Sequence, residues 1–283
     1  PAMQALQERI AKNFRDVAGN RAHLFLEGTE VWGDILSTNQ TIRSDGNGDQ
    51  SKGDMHGAIV GMEQGFGYAK IGVFAGYGQG GTKLNQHLSS GKNNQILGGA
   101  YAGVNYHGLV VSGQFSYGQG HNEVKRHIAV GSVQRNVTSK EKVRMLGGNA
   151  SIGYEINLGV VRITPGLGFD FTHTQSNGFE EKGNGGDVAL EAKRHSSLVV
   201  SGEAGLRVSA SWNLGAINIA PYVSGKFSRQ VAGNSYRDRD VAFQGNPTET
   251  GFNVRSADAG KNRLVVGGGL AIGVGMVKLE LGY

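Results

Sequence analysis

Asp170 and His173 stand three residues apart, and His195 opens the next alternating segment, so one carboxylate and two imidazoles collect near the ends of neighbouring strands. A carboxylate and an imidazole within hydrogen-bond reach are the equipment of general acid–base hydrolysis. A second candidate is GYGQGG at residues 76–81, which has the glycine spacing of a phosphate-cradling loop. It ends a strand instead of opening a helix, and no acidic residue follows at the required distance on a parallel strand, so nucleotide chemistry lacks its setting. The related YGQG at residues 117–120 marks a repeated hairpin. The absence of cysteine excludes disulfides, thiolate metal sites and cysteine nucleophiles together. Solvated positions at a polar rim account for the histidines, and no catalytic residue, cofactor or metal ion is expected.

The elements that would position these groups are strands. In VRITPGLGFDF, residues 161–171, Val161, Ile163, Pro165, Leu167, Phe169 and Phe171 fall on one face and Arg162, Thr164, Gly166, Gly168 and Asp170 on the other. The same alternation defines eleven segments, at 22–36, 55–68, 70–79, 95–106, 109–119, 143–157, 160–172, 197–212, 216–229, 263–274 and 277–283. Very short links alternate with long polar ones, the latter at 37–54, 80–94, 120–142, 173–196 and 230–262. Tight turns at one rim and long loops at the other predict a transmembrane antiparallel β-barrel, with lipid on the greasy face and water or a plug on the other. Glycine supplies 48 of 283 residues, with 4 prolines and no Gly-X-Y period, which excludes collagen and proline-rich disorder. No apolar run approaches the roughly 18 residues of a membrane helix.

Charge placement agrees with a barrel. By phase, Glu63, Glu155, Arg162, Asp170, Glu203, Arg207, Lys226, Arg263, Lys278 and Glu280 point inward, and no mid-strand charge meets lipid. Wall pairing such as Glu203 with Arg207 is one reading of these residues. The other is a polar track that holds a helix. Residues 120–144 carry Lys125, Arg126, Arg135, Lys140, Lys142 and Arg144 against Glu123 and Glu141. The basic run lacks interleaved aromatics, so no nucleic acid is expected, and an outward loop facing anionic lipopolysaccharide explains it.

Ahead of the first strand, Leu6, Ile10, Phe14 and Val17 recur at helical spacing, and Gly19 and Asn20 supply a stop. A helix followed by amphipathic hairpins resembles the translocator domain of autotransporters, the bacterial type V secretion proteins. The resemblance rests on the helix at 3–18, on Val31, Trp32 and Gly33 leading into a polar loop, and on GAIVGMEQGF, KIGVFAGYGQG and NRLVVGGGLAIGVGMVKLELGY.

The resemblance implies a barrel of about twelve strands, of which eleven are read and the closing one is either missing or hidden within 230–262. It also implies that residues 1–20 form a linker helix threading the barrel of residues 21–283. Arg9, Lys12, Arg15 and Asp16 would then meet Glu63, Glu155, Arg162, Glu203, Arg207 and Lys226 across the lumen. Some relatives cut their own linker with an asparagine of the helix and acidic wall residues. Asn13, with Glu63, Glu155 and Glu203, is the matching set, without the paired-asparagine context. The implied partners are outer-membrane lipid and lipopolysaccharide, the barrel assembly machinery and a passenger joined at the N-terminus, for a monomer in the outer membrane of a Gram-negative bacterium. The alternative is a barrel enzyme of protease or lipase type, or a passive pore.

Overall fold

The computed structural model describes residues 28–44, 50–84, 89–130, 132–235, 238–245, 251–256, 258, 260–274 and 277–282. The expected helix at 3–18, with Arg9, Lys12, Asn13, Arg15 and Asp16, lies outside them, as do Tyr283 and the side chains of Lys278 and Glu280.

The described chain is built on antiparallel strands. The first hairpins are β1 (Gly28–Ile42), β2 (Ser51–Phe66), β3 (Ala69–Leu84), β4 (Ser89–Tyr106), β5 (Leu109–Val130) and β6 (Val133–Tyr154). The short β7 (Ile156–Leu158) continues β6 past Glu155, and β8 is Val161–Ser176. After β9 (Phe179–Gly183) and β10 (Leu190–Ala192) come β11 (His195–Ala210), its continuation β12 (Trp212–Leu214) and β13 (Ile217–Ala232). The chain ends with β14 (Asp238–Phe243), β15 (Phe252–Arg255), β16 (Asn262–Val274) and β17 (Val277–Gly282).

The wall runs β1, β2, β3, β4, β5, β6, β8, β11, β13, β16, β17, each strand paired with the next. Among the described residues no ladder joins β1 to β17. No wall strand hides in 230–262: β13 pairs directly with β16, from Ile217↔Val274 to Arg229↔Asn262. The intervening β14 and β15 pair with each other, and β14 also pairs with β10, outside the wall.

The turns at one rim have the backbone that two-residue hairpins require. His107 and Gly108 both take positive φ, 49° and 89°, the pattern whose twist matches the flanking strands. At the opposite rim the strands extend far into the segments expected to be loops. β5 and β6 are 22 residues each and stay in register from Leu109↔Tyr154 to Val130↔Val133. At ~3.3 Å per residue each spans about 73 Å, more than twice a bilayer core of ~30 Å. The outer halves need no lipid-facing residues, because the ladder satisfies the backbone by itself, so hydrophobic alternation does not mark them.

Against this extension β9, β10, β14 and β15 fold into a small outer cap. Val137, Ala189, Ala192 and Val241 are buried beneath it. Arg126 grips Glu181 through Nε at 2.9 Å and Nη2 at 2.5 Å, and Gln244 donates to the carbonyls of Glu181 and Leu190.

The wall is apolar outside and polar inside. Val31, Ile35 and Leu264 are 79%, 80% and 71% exposed, whereas Glu63 and Ser116 are 5% and 1% exposed. Burial confined to one face of a single sheet requires that face to be concave. An exposed apolar band running from Leu109 to Tyr117 on β5 covers about 27 Å along the strand, the scale of the lipid-facing belt. Aromatic residues mark its limits, with Tyr68, Tyr106 and Tyr154 at the tight-turn rim and Tyr77 and Tyr117 at the other.

Two glycines on the inner parity, Gly72 and Gly99, leave no open space beside the wall. Tyr101 stands opposite Gly72 and Phe74 opposite Gly99 in the β3–β4 ladder, and each ring lies where a Cβ would project. Trp32 covers Gly61 in the same way. These rings join Leu36, Ile59 and Leu97 in an apolar cluster, so the inner face of β1 to β4 is not uniformly polar.

Candidate functional site on the inner face of the wall

A chain of hydrogen bonds crosses the first four strands inside the wall. Trp32 Nε1 on β1 donates to the Tyr101 hydroxyl on β4 at 2.7 Å, and that hydroxyl donates to Glu63 Oε2 on β2 at 2.7 Å. The ammonium of Lys70 on β3 donates to the other oxygen, Glu63 Oε1. The Glu63 and Lys70 side chains are each 4% exposed, so the two charges have left water and stabilise each other. Lys70, the first residue of its alternating segment, is not among the inward charges expected from phase; its parity, opposite to Ile71, is the signal that places it inward.

The remaining candidates gather in two further groups. Glu155, in the break between β6 and β7, meets Arg162 Nε of β8 at 2.9 Å, and Arg162 also donates to Asn157. Glu203 of β11 is bridged by Lys226 Nζ of β13 at 2.7 Å. Asp170 is buried on β8 diagonally across from Glu203, since Ser201 pairs with Asp170 and Glu203 with Gly168. The expected Glu203–Arg207 pair is replaced. Four residues along a strand separate side chains by about 13 Å, whereas cross-strand diagonals are in reach, so Glu203 meets Lys226. The guanidinium of Arg207 instead covers the Tyr222 ring at 3.8 Å from its centroid. Arg263 is half-buried on the same inner parity. The three wall acids Glu63, Glu155 and Glu203 are thus far apart in the wall, and each is engaged by a cation from a neighbouring strand.

The hydrolytic pair does not assemble. Three residues on a strand is an odd number, so Asp170 faces inward and His173 outward. His173 Nε2 instead lies 3.5 Å from Ser196 Oγ on the outer face, at the limit of a hydrogen bond. Among the described residues no group of three or more His, Cys, Asp or Glu side chains is placed to hold a metal ion. GYGQGG is the outer end of β3, paired with β2 and β4 on both sides.

An inside-out wall with ion pairs within and aromatic rows at the lipid limits has counterparts among known proteins. A family profile described as the autotransporter beta-domain matches residues 31–283. No curated protein sequence matches the chain. Among solved structures, the translocator domain of the autotransporter NalP from Neisseria meningitidis is similar with a TM-score of 0.67 at 17% identity, over 100% of this chain and 91% of that one. The beta domain of the Bordetella autotransporter BrkA is similar with a TM-score of 0.65 at 16% identity, over 91% of each chain. With a profile match over most of its length and this wall, the chain belongs to the autotransporter beta-domain family.

Proposed function

We propose that this chain is the outer-membrane translocator unit of an autotransporter, closed as a barrel of about twelve strands, which anchors a passenger joined ahead of residue 1 and passes it to the cell surface. The observation that carries the reading is the family match over a wall whose apolar residues face out and whose charges face in. The unit acts as a monomer, its assembly needs the barrel assembly machinery, and no catalytic step is assigned to it.

In this reading the helix at 3–18 occupies the lumen, with Arg9, Lys12, Arg15 and Asp16 toward the inner charges. Asp170 and Glu203 offer the helix cations two inner carboxylates, which they would share with Lys226 and, along the row Glu203–Ser228–Arg263, with Arg263. Deleting residues 1–18 is expected to raise single-channel conductance several-fold in planar bilayers and to lower the melting temperature, because a helix of ~10 Å diameter gives way to water. Unchanged conductance and melting would leave the helix outside the lumen. Loss of passenger display in a deletion that still inserts separates the helix's role from the barrel's.

The enzyme alternative has its own test. His173→Ala combined with Ser196→Ala is expected to leave passenger display and any lipid or peptide hydrolysis by the purified barrel unchanged. Abolition of a hydrolytic activity by this pair would return the chain to the enzyme class.

A further inference from the structure

Strand parity gives the outer face of the long β5–β6 hairpin a cationic excess, Lys125, Lys140, Lys142 and Arg144 against Glu123. Glu141, on the inner parity, is held by Arg239 at 2.5 Å, and Glu181 of the cap by Arg126 at 2.5 Å. The inner parity also carries Arg126 and Arg135, and the other four cations face outward. Directly above the row Tyr117–Leu146, the outward rows read Gln119 with Arg144, then His121 with Lys142, then Glu123 with Lys140, then Lys125 with Thr138. β4 adds Lys92 beside Glu123. The Lys140 and Lys125 side chains are 77% and 65% exposed, and Glu123 is the one carboxylate among them, 3.5 Å from Lys140 and 4.0 Å from Lys125. Lys92, Lys142 and Arg144 enter no ion pair among the described residues.

We propose that this outer face of β4, β5 and β6 binds the phosphorylated headgroup of outer-leaflet lipopolysaccharide through Arg144, Lys142, Lys140, Lys125 and Lys92. The inference rests on the outer-membrane reading of the wall. Its position commits the ligand: the cations begin one row above Tyr117, where the apolar band ends, so they stand in the headgroup layer while their own strands continue downward against acyl chains. Arg144 to Lys140 spans about 13 Å along β6, the scale of a headgroup carrying more than one phosphate. Outward-parity cations occur elsewhere too, Lys52 on β2, Lys83 on β3 and Arg229 on β13, but the two strands that follow β6 in the wall carry none at this height. At the level of Arg144, β8 presents Gln175 and β11 presents Ser196, both neutral.

The test titrates the purified full chain in detergent with bisphosphorylated lipid A, dephosphorylated lipid A, phosphatidylethanolamine and inorganic phosphate, reading melting temperature and co-migration on native gels. Bisphosphorylated lipid A should raise the melting temperature, and the other three should not. In the variant carrying Lys140→Gln, Lys142→Gln and Arg144→Gln, affinity should fall on the order of 100-fold, at about tenfold or less per removed cation. Equal binding by wild type and variant, or equal shifts from both lipid A forms, overturns the site. Heat-modifiable gel mobility separates the two readings: its absence in wild type overturns the barrel itself, whereas its presence with retained lipid binding in the variant overturns only this surface. If the triple variant does not fold, Lys142→Gln with Arg144→Gln is decided by the same comparison.

Discussion

Glu63→Ala is expected to lower the stability of the folded barrel by about 3–5 kcal/mol, the scale of breaking a buried ion pair from one side. The loss comes from what is left behind. Lys70, 4% exposed in its side chain, would lose the carboxylate that neutralises it in a wall sealed by Trp32, Phe74 and Tyr101. Tyr101 would lose the acceptor that takes its hydroxyl proton, and the hydroxyl to which Trp32 donates would lose its anchor. Adding Lys70→Met should recover much of the loss, because two apolar side chains of similar volume need neither water nor a partner. Thermal melting of the purified barrel reads both. A single variant that melts with wild type would mean that the Lys70 charge is held by another group or by water, and that Glu63 is not its main support.

The chain of bonds behind that result was only half legible in the sequence. The outward face was: once lipid is the solvent, an apolar residue at every second position is the one pattern that keeps charges out of the bilayer, and all eleven wall strands follow it. The inner face obeys no such rule. Ile59 beside Val60, Phe74 beside Val73 and Leu97 beside Ile96 are apolar doublets that put a buried residue behind each lipid-facing one, and they assemble the inner cluster of β1 to β4. Read for doublets instead of alternation, the sequence contains that cluster. Aromatic residues opposite glycines are different in kind, since Tyr101 meets Gly72 and Phe74 meets Gly99 only once register is known.

The same dependence on register governs the site. Parity alone places Asp170 and His173 on opposite faces and disposes of the hydrolytic pair. Parity cannot choose between Arg207 and Lys226 as the partner of Glu203, because that choice is made across the ladder. The outer cap was the least visible part. β9, β10, β14 and β15 are short, polar and joined by side chains from distant segments, Arg126 to Glu181 and Arg239 to Glu141, so no local pattern announces them.

Leu167→Arg and Thr164→Arg introduce the same side chain into the same strand on opposite faces. Leu167 is 62% exposed on the outer face of β8, near the middle of the apolar band, and its variant is expected to lose roughly 2–4 kcal/mol, the cost of an arginine at the bilayer midplane. Thr164 faces inward on the same strand, two residues from Arg162 and directly opposite Arg207 in the β8–β11 ladder, so a new arginine there meets like charge but no lipid. Its variant should lose no more than about 1 kcal/mol, the size of a like-charge cross-strand pair. Unfolding in lipid vesicles by guanidinium measures both. The difference between the variants matters more than either value, since general damage to β8 would affect them alike. Equal losses would mean that the two faces see the same solvent, and a wall with lipid on one side and a lumen on the other would be untenable.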